Sequence, residues 1–593
     1  MNQLTPTRRF NSPLIHSGLR TRRMTRMAAL FAVVPVLWGS LALAQDFWVN
    51  PSGGSWTNAA NWSAGVPTSN NAIFNLGSTA GYTVTVPSGQ GASELDVDTD
   101  NVTISLGAYF QVAGPEGGGP VQVGTASGQN GSLTLHGATF GTQFGANVGT
   151  NGGIGELTTT ATVETFEGAG FNVGNGTGSQ GTLNVNAGGS LSPDFPGPLD
   201  VGENNGTGTV NINGGFVNNV SPIFGSGGTG TLALTNKGAL STGDSLDDMV
   251  VGEGGVGTVT CDGKSSVTVE DGGFDVGEGF GSLNPATGTA TFTNGSNLFV
   301  DGNLNVGIGV GGNGSLSILS GSSLDNAGLT VVVGANGGNG SFRVSGANSL
   351  FLSFSTTTAF VGQDSSGNAG TGTLQVDTNG TITLTSTLTV ASGGTLNVLS
   401  GGTLSAPSIN LSSAGSVNLT GGTVNLTGGT LTDAALTLPN TTTLEGTGSL
   451  TGNLSSFGVV SPGDAPGILT VDGNYTENSS GTLDIGIGGT TLGTQYDQLK
   501  IDEAASLSGS LDITLLNGFV PAIGNQFDII AFGSETGSFS LIELPALPAG
   551  RAWDTSQLDS SGIISVVVPE PASGAILLAA GLGLTSRRRR KSR

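Results

Sequence analysis

One pattern of apolar and polar positions recurs along most of this chain. It reads apolar, polar or variable, apolar, glycine. Clear copies are Val121-Gln-Val-Gly124, Ala146-Asn-Val-Gly149, Phe171-Asn-Val-Gly174, Leu199-Asp-Val-Gly202, Met249-Val-Val-Gly252, Phe274-Asp-Val-Gly277, Leu304-Asn-Val-Gly307, Val331-Val-Val-Gly334 and Ala359-Phe-Val-Gly362, with a weaker one ending at Phe224-Gly225. Successive glycines are 23 to 30 residues apart, close to 26 on average. Self-similarity at such a period is the signature of a solenoid.

A second strand follows each copy after a short Gly/Asn turn: Gly181-Thr-Leu-Asn-Val185, Gly208-Thr-Val-Asn-Ile212, Gly257-Thr-Val-Thr-Cys261, Gly314-Ser-Leu-Ser-Ile318. A looser third strand often comes next, as in Ser266-Val-Thr-Val269 and Thr381-Ile-Thr-Leu384. All three alternate with period two, so each has one aliphatic and one polar face. A single repeat cannot bury its aliphatic face, whereas stacked repeats bury it rung upon rung. The pattern therefore predicts an all-β fold, a parallel β-helix of three short strands and about 26 residues per coil. About fifteen coils between 50 and 455 would make a rod roughly 70 Å long at the strand spacing. From about 388 the phrase gives way to denser units such as Gly393-Gly-Thr-Leu396 and Gly401-Gly-Thr-Leu404, which predict shorter coils.

Composition agrees and adds a constraint on partners. Glycine makes up 105 of 593 residues, and charged residues are scarce. The charges are segregated. Six arginines lie in the first 26 residues and six cations in the last seven, leaving Lys237, Lys264, Arg343, Lys500 and Arg551 against 41 acids between, a balance of −36. A body this acidic repels nucleic acid, which binds clustered Lys and Arg. The single cysteine, Cys261, excludes an internal disulfide and occupies an inward slot of the second strand.

The two termini read as export signals. The basic N-terminal segment, the apolar run from Met27 to Leu43 and the small residues Ala42 and Ala44 predict a secretion signal over 1–44, cut by signal peptidase before Gln45. At the other end, Val568-Pro-Glu-Pro-Ala572 precedes an apolar run from Ala575 to Leu584 and the cluster Arg587, Arg588, Arg589, Arg590. This stretch resembles the PEP-CTERM sorting signal, also described as an ice-binding-protein C-terminal domain. The resemblance rests on Pro569, Glu570 and Pro571, the short apolar run and the basic tail. It implies a Gram-negative-type bacterium, transient C-terminal anchoring in the membrane, and cleavage by an exosortase-type membrane protease that releases the body to the cell surface or matrix. The physics is compatible: arginines stay cytoplasmic, and the run is shorter than the ~20 residues of a comfortable span.

Between the signals, three further regions stand out. Residues 45–120 open with Trp48, Trp56 and Trp62, and resemble the start of secreted β-solenoid proteins with autotransporter-associated repeats. An aromatic cap over the first coils and a sugar-stacking platform are both readings of those rings. Residues 121–455 carry the solenoid repeats. Residues 456–566, with Ser461-Pro-Gly463, Tyr496-Asp-Gln-Leu-Lys-Ile501 and Phe527-Asp-Ile-Ile530, resemble the terminal module of autotransporter-like passengers. The resemblance carries no active site, and the expectation is a β-rich cap of antiparallel strands, with the sorting signal over 567–593.

Candidate chemistry is thin. The paired acids Asp247-Asp248, with Lys264 or Lys237 one coil away, are the only arrangement that suggests a polysaccharide-active site. Glu94-Leu-Asp-Val-Asp-Thr-Asp-Asn101 suggests calcium, but lacks the Gly and Glu of an EF-hand loop. Its alternation fits a half-exposed strand. No cofactor is predicted, and no catalytic or metal-binding residue. An outward Thr/Ser file (Thr182, Thr209, Thr231, Thr258, Thr289, Ser315, Ser341, Thr373, Thr395) leaves ice binding as an alternative, against a ragged neighbouring file of Asn184, Asn211, Ala233, Arg343, Gln375 and Asn397. The leading expectation is a non-catalytic surface or matrix protein, a spacer or adhesin associated with exopolysaccharide.

Overall fold

The computed structural model describes residues 45–569, apart from 69, 114–120, 166–169, 244–247, 282–284, 355–357, 412–415, 420–422 and 464–465. The described residues from Gln45 form one compact unit. It is a parallel β-helix.

The repeat predicted from the pattern is the coil that forms. One coil contains Phe171–Asn175, Gln180–Asn186 and Ser190–Pro193. The next contains Gly197–Glu203, Thr207–Asn213 and the start of Phe216–Ser226. Equivalent strands pair in parallel and in register: Phe171 opposite Leu199, Val173 opposite Val201, Leu183 opposite Val210, Val185 opposite Ile212, Leu191 opposite Val217. These side chains point inward and are fully buried. Each such burial contributes about 1.5–3 kcal/mol, and the ladder repeats on every rung. Second strands make a continuous sheet of fifteen, from Gly54–Ser55 to Ser416–Asn418. At ~4.8 Å per rung that sheet is ~70 Å long. Outward positions add polar ladders, as where Asn172 Nδ2 donates to Asn147 Oδ1 at 2.8 Å.

The recurring glycines are explained at the corner between first and second strands. Gly174 has φ +71°, and a Cβ there would lie 1.9 Å from the carbonyl oxygen of Thr207 in the next coil. Gly208, opening the second strand, would place a Cβ 2.1 Å from the carbonyl oxygen of Val173 in the coil before. Backbone packs directly on backbone there, so any side chain is excluded.

The predicted shortening after 388 is present. Thr387 pairs with Ser408, Thr403 with Thr423, and Thr423 with Thr443. The terminal module departs from expectation. Parallel pairing does not stop at 455. Ile468–Val471 pairs with Gln498–Ile501, Tyr475–Glu477 with Ala504–Leu507, and Thr482–Ile487 with Ser510–Leu515. Those continue to Ile530–Ala531, Ser534–Gly537 and Leu541–Glu543. Among the described residues, antiparallel strand pairing is found where Gln526–Asp528 and Ala552–Asp554 flank Ile563–Val567. The same period-two alternation runs through this region, so the same stacking buries it; longer connections disguise the period.

At the top, Trp48, Trp56 and Trp62 are buried with Phe74 and Tyr82 over the first coil. Trp62 meets Trp48 and Trp56 edge-on at 5.0 and 4.8 Å between ring centres. Val49 N donates to Asn61 O and Ser63 N to Phe47 O, so this loop also occupies the open edge of the first strand.

Gly174 can be separated from a merely left-handed glycine. Gly178 lies in the same coil at φ +79° with open space around it. Gly178→Ala is expected to cost about 1 kcal/mol, and Gly174→Ala about 3 kcal/mol or more. Urea denaturation of the two variants, followed by far-UV circular dichroism, measures the difference.

Candidate functional surfaces

The most regular outward feature is the face of the fifteen-stranded sheet. Thr182, Thr209, Thr231, Thr258, Thr289, Ser315, Ser341, Thr373 and Thr395 stand opposite one another on successive rungs. A parallel file two residues earlier escaped the sequence reading: Thr207, Thr229, Val256, Thr287, Asn313, Asn339 and Thr371. The signal was present as the residue before each Gly-Thr/Ser pair. Thr287, Thr289, Asn313, Ser315, Asn339 and Ser341 line a shallow groove on this face. The third file is broken at Ala233 and at Arg343. Arg343 holds Asp377 through two bonds of 2.9 Å, from Nε and Nη2. Asp377 stays well below the usual carboxylate range because donors from Arg343, Ser345, Gln375 and Thr378 outweigh its burial.

The sugar-stacking reading of the tryptophans fails, because the rings lie inside. Trp48 Nε1 donates to Asn50 O at 2.6 Å and Trp62 Nε1 to Trp56 O at 2.8 Å.

Of the candidate catalytic grouping, the described lysines, Lys237 and Lys264, and the described acid, Asp248, stand at different corners of the coil. Lys237 and Lys264 lie at the corner between second and third strands, where Lys237 N donates to Gly263 O. Asp248 lies beyond the third strand, and its Oδ1 accepts the Gly273 N–H at 2.7 Å. A whole strand, Ala239–Thr242, separates the corners. Asp247 lies outside the described residues. His136 Nδ1 meets Thr160 Oγ1 at 2.8 Å.

The calcium-like stretch opens with a strand, Glu94–Val97, and turns into the next, Asn101–Leu106, with Glu94, Asp98 and Asp100 engaged by hydrogen bonds. Glu94 accepts from Asn71 at 2.6 Å and from Gln122 at 2.9 Å; Asp98 accepts from Gln129 at 2.7 Å. Asp100 accepts the Tyr82 hydroxyl at 2.5 Å. Burial, then the charges of Glu94 and Asp98, push Asp96 up to about 8, so it holds a proton at neutral pH. Among the described residues no group of three His, Cys, Asp or Glu is placed to hold a metal ion. Cys261 sits between Leu234 and Phe292 in the inward file, and burial pushes its thiol up to about 12.

Of the sorting residues, Pro569 is exposed just beyond the last strand, Ile563–Val567. Gln45 begins the first strand and pairs with Asn71. Ala42, Ala44, Glu570, Pro571 and Arg587 to Arg590 lie outside the described residues. Among those described, no helix is long and apolar enough to cross a membrane.

No protein-family model matches this chain, and no curated protein matches it either.

One buried acid was not singled out from sequence. Glu477 points inward, 1% exposed, and neither carboxyl oxygen has a hydrogen-bond partner. Burial pushes it up to about 8. Its folded value exceeds its unfolded one, so the folded state gains relative stability at acid pH and loses it as pH rises through 8. Thermal melts between pH 5 and 9 are expected to show the lower coils weakening toward alkaline pH. Glu477→Gln should flatten that dependence.

Proposed function

We propose that this chain is an exported, non-catalytic rod displayed at the cell surface or held in the extracellular matrix among exopolysaccharide. The observation that carries the reading is the place where the fold closes. The last strand ends at Val567, and Val568 and Pro569 follow at once, both exposed. The Pro-Glu-Pro motif thus begins outside the folded body, where a membrane protease of the exosortase type can reach it. The acidic composition, with small hydroxyl and amide groups on the broad sheet face, suits a hydrated spacer. Cell fractionation with mass spectrometry of the C-terminus tests this. The expected product is a surface or matrix protein that keeps Val567 and lacks Arg587 to Arg590. A cytoplasmic chain with the tail intact overturns the reading. Turnover of a surface polysaccharide, abolished by Asp247→Asn with Asp248→Asn, replaces it with an enzyme.

A second reading draws on the Thr/Ser face. A Thr/Ser file in register beside a mixed Thr/Asn file is an array able to order water, and one strand carries Thr287, Thr289 and Thr291 together. Thermal hysteresis in a solution of the purified protein supports ice binding, and ice crystals of unmodified shape remove it.

A further inference from the structure

The chain leaves its folded body through an apolar patch. In the antiparallel sheet Gln526 is opposite Ser565, and Ala552 is opposite Val567. The pairing extends past the strand: Val566 N donates to Asn525 O at 3.0 Å and Gly524 N to Val566 O at 2.7 Å. Ile523 and Gly524 make the turn 522–525, closed by Asn525 N donating to Ala522 O, so Ile523 stands at a turn held to Val566, while Arg551 precedes the Ala552–Val567 pair on the other flank. Arg551 Nη1 donates to Pro521 O, tying the two flanks together. Val520, Ile523 and Val568 are 54%, 52% and 61% exposed. Three exposed aliphatics and a cation thus gather where the chain departs toward its apolar run, Ala575 to Leu584, and its arginines.

The flanks nearby have the opposite character. Asp484, Asp512 and Glu543 stack on the outward face of successive rungs. Burial and the Asp512 charge raise Asp484. Like charges so placed are repelled by an anionic surface within a Debye length of about 8–10 Å.

We propose that Val520, Ile523 and Val568, with Arg551, form a lipid-docking patch that seats the last rungs on the bilayer and leaves the tryptophan cap distal. This rests on the anchoring reading of the tail. The aliphatic side chains enter the interfacial region, the guanidinium meets lipid phosphate, and the acidic flanks keep the rest of the rod off the surface. Coils stack in sequence order, so the cap lies at least ~70 Å away along the axis.

The test uses the full chain, purified from host membranes with Cys261→Val and one cysteine at exposed Ala522 or Ala60 carrying an environment-sensitive dye. It is reconstituted in phosphatidylglycerol/phosphatidylethanolamine vesicles with or without acyl-chain quencher lipids. The dye at 522 should lose most of its emission and the dye at 60 should keep it. Val520→Ser with Ile523→Ser should restore emission at 522 while the chain remains on the vesicles and keeps its circular dichroism. Vesicle-bound protein with no quenching at 522, or equal quenching at 522 and 60, overturns the patch alone. Protein that floats free of the vesicles overturns the anchoring reading as well.

Discussion

The fold depends on the distance between rungs. Parallel strands hydrogen-bond at a spacing close to 4.8 Å, and everything inside or at a corner must fit that interval. Inward, this selects apolar side chains that stack on one another, such as Leu232 on Val259, with Cys261 between Leu234 and Phe292. At the corner between first and second strands it leaves no interval at all. The carbonyl oxygen of Thr207 occupies the space a side chain at Gly174 would need. The glycines that recur at this corner, Gly174 and Gly208 among them, are thus a consequence of geometry.

That constraint explains what was legible beforehand. A corner that tolerates only glycine writes its period into the sequence, and the alternation on either side names the strands. The coil, the inward ladders and the Thr/Ser file could all be read because each is fixed by positions within a few residues of such a glycine. Below 455 the coils change length: Thr443 pairs with Val459, but Ile468 with Gln498. Without a constant step the alternation marks strands but not their partners, so a parallel stack reads as a cap of antiparallel strands.

The surfaces were less legible because they combine residues that only the stack brings together. Lys264 and Asp248 are close in sequence yet stand at different corners. Gly524 and Val566 are far apart in sequence and meet through an antiparallel pairing that no repeat announces. Glu477 belongs to a strand, Tyr475–Glu477, whose alternation is ordinary; only the closed interior makes its carboxyl unusual. Local pattern specifies which face a residue takes, and topology decides what it meets there.

Because the ladder hydrogen bonds lie along the axis, a pull on the two ends of the body acts in line with them. The three strands of a rung share that load, so a rung holds until all three give way. Once it does, some 25 residues are freed, a slack of roughly 85 Å of extended chain, while the rungs above and below keep their own contacts. Such a shaft would lengthen in discrete steps under tension and could rewind when the tension is released.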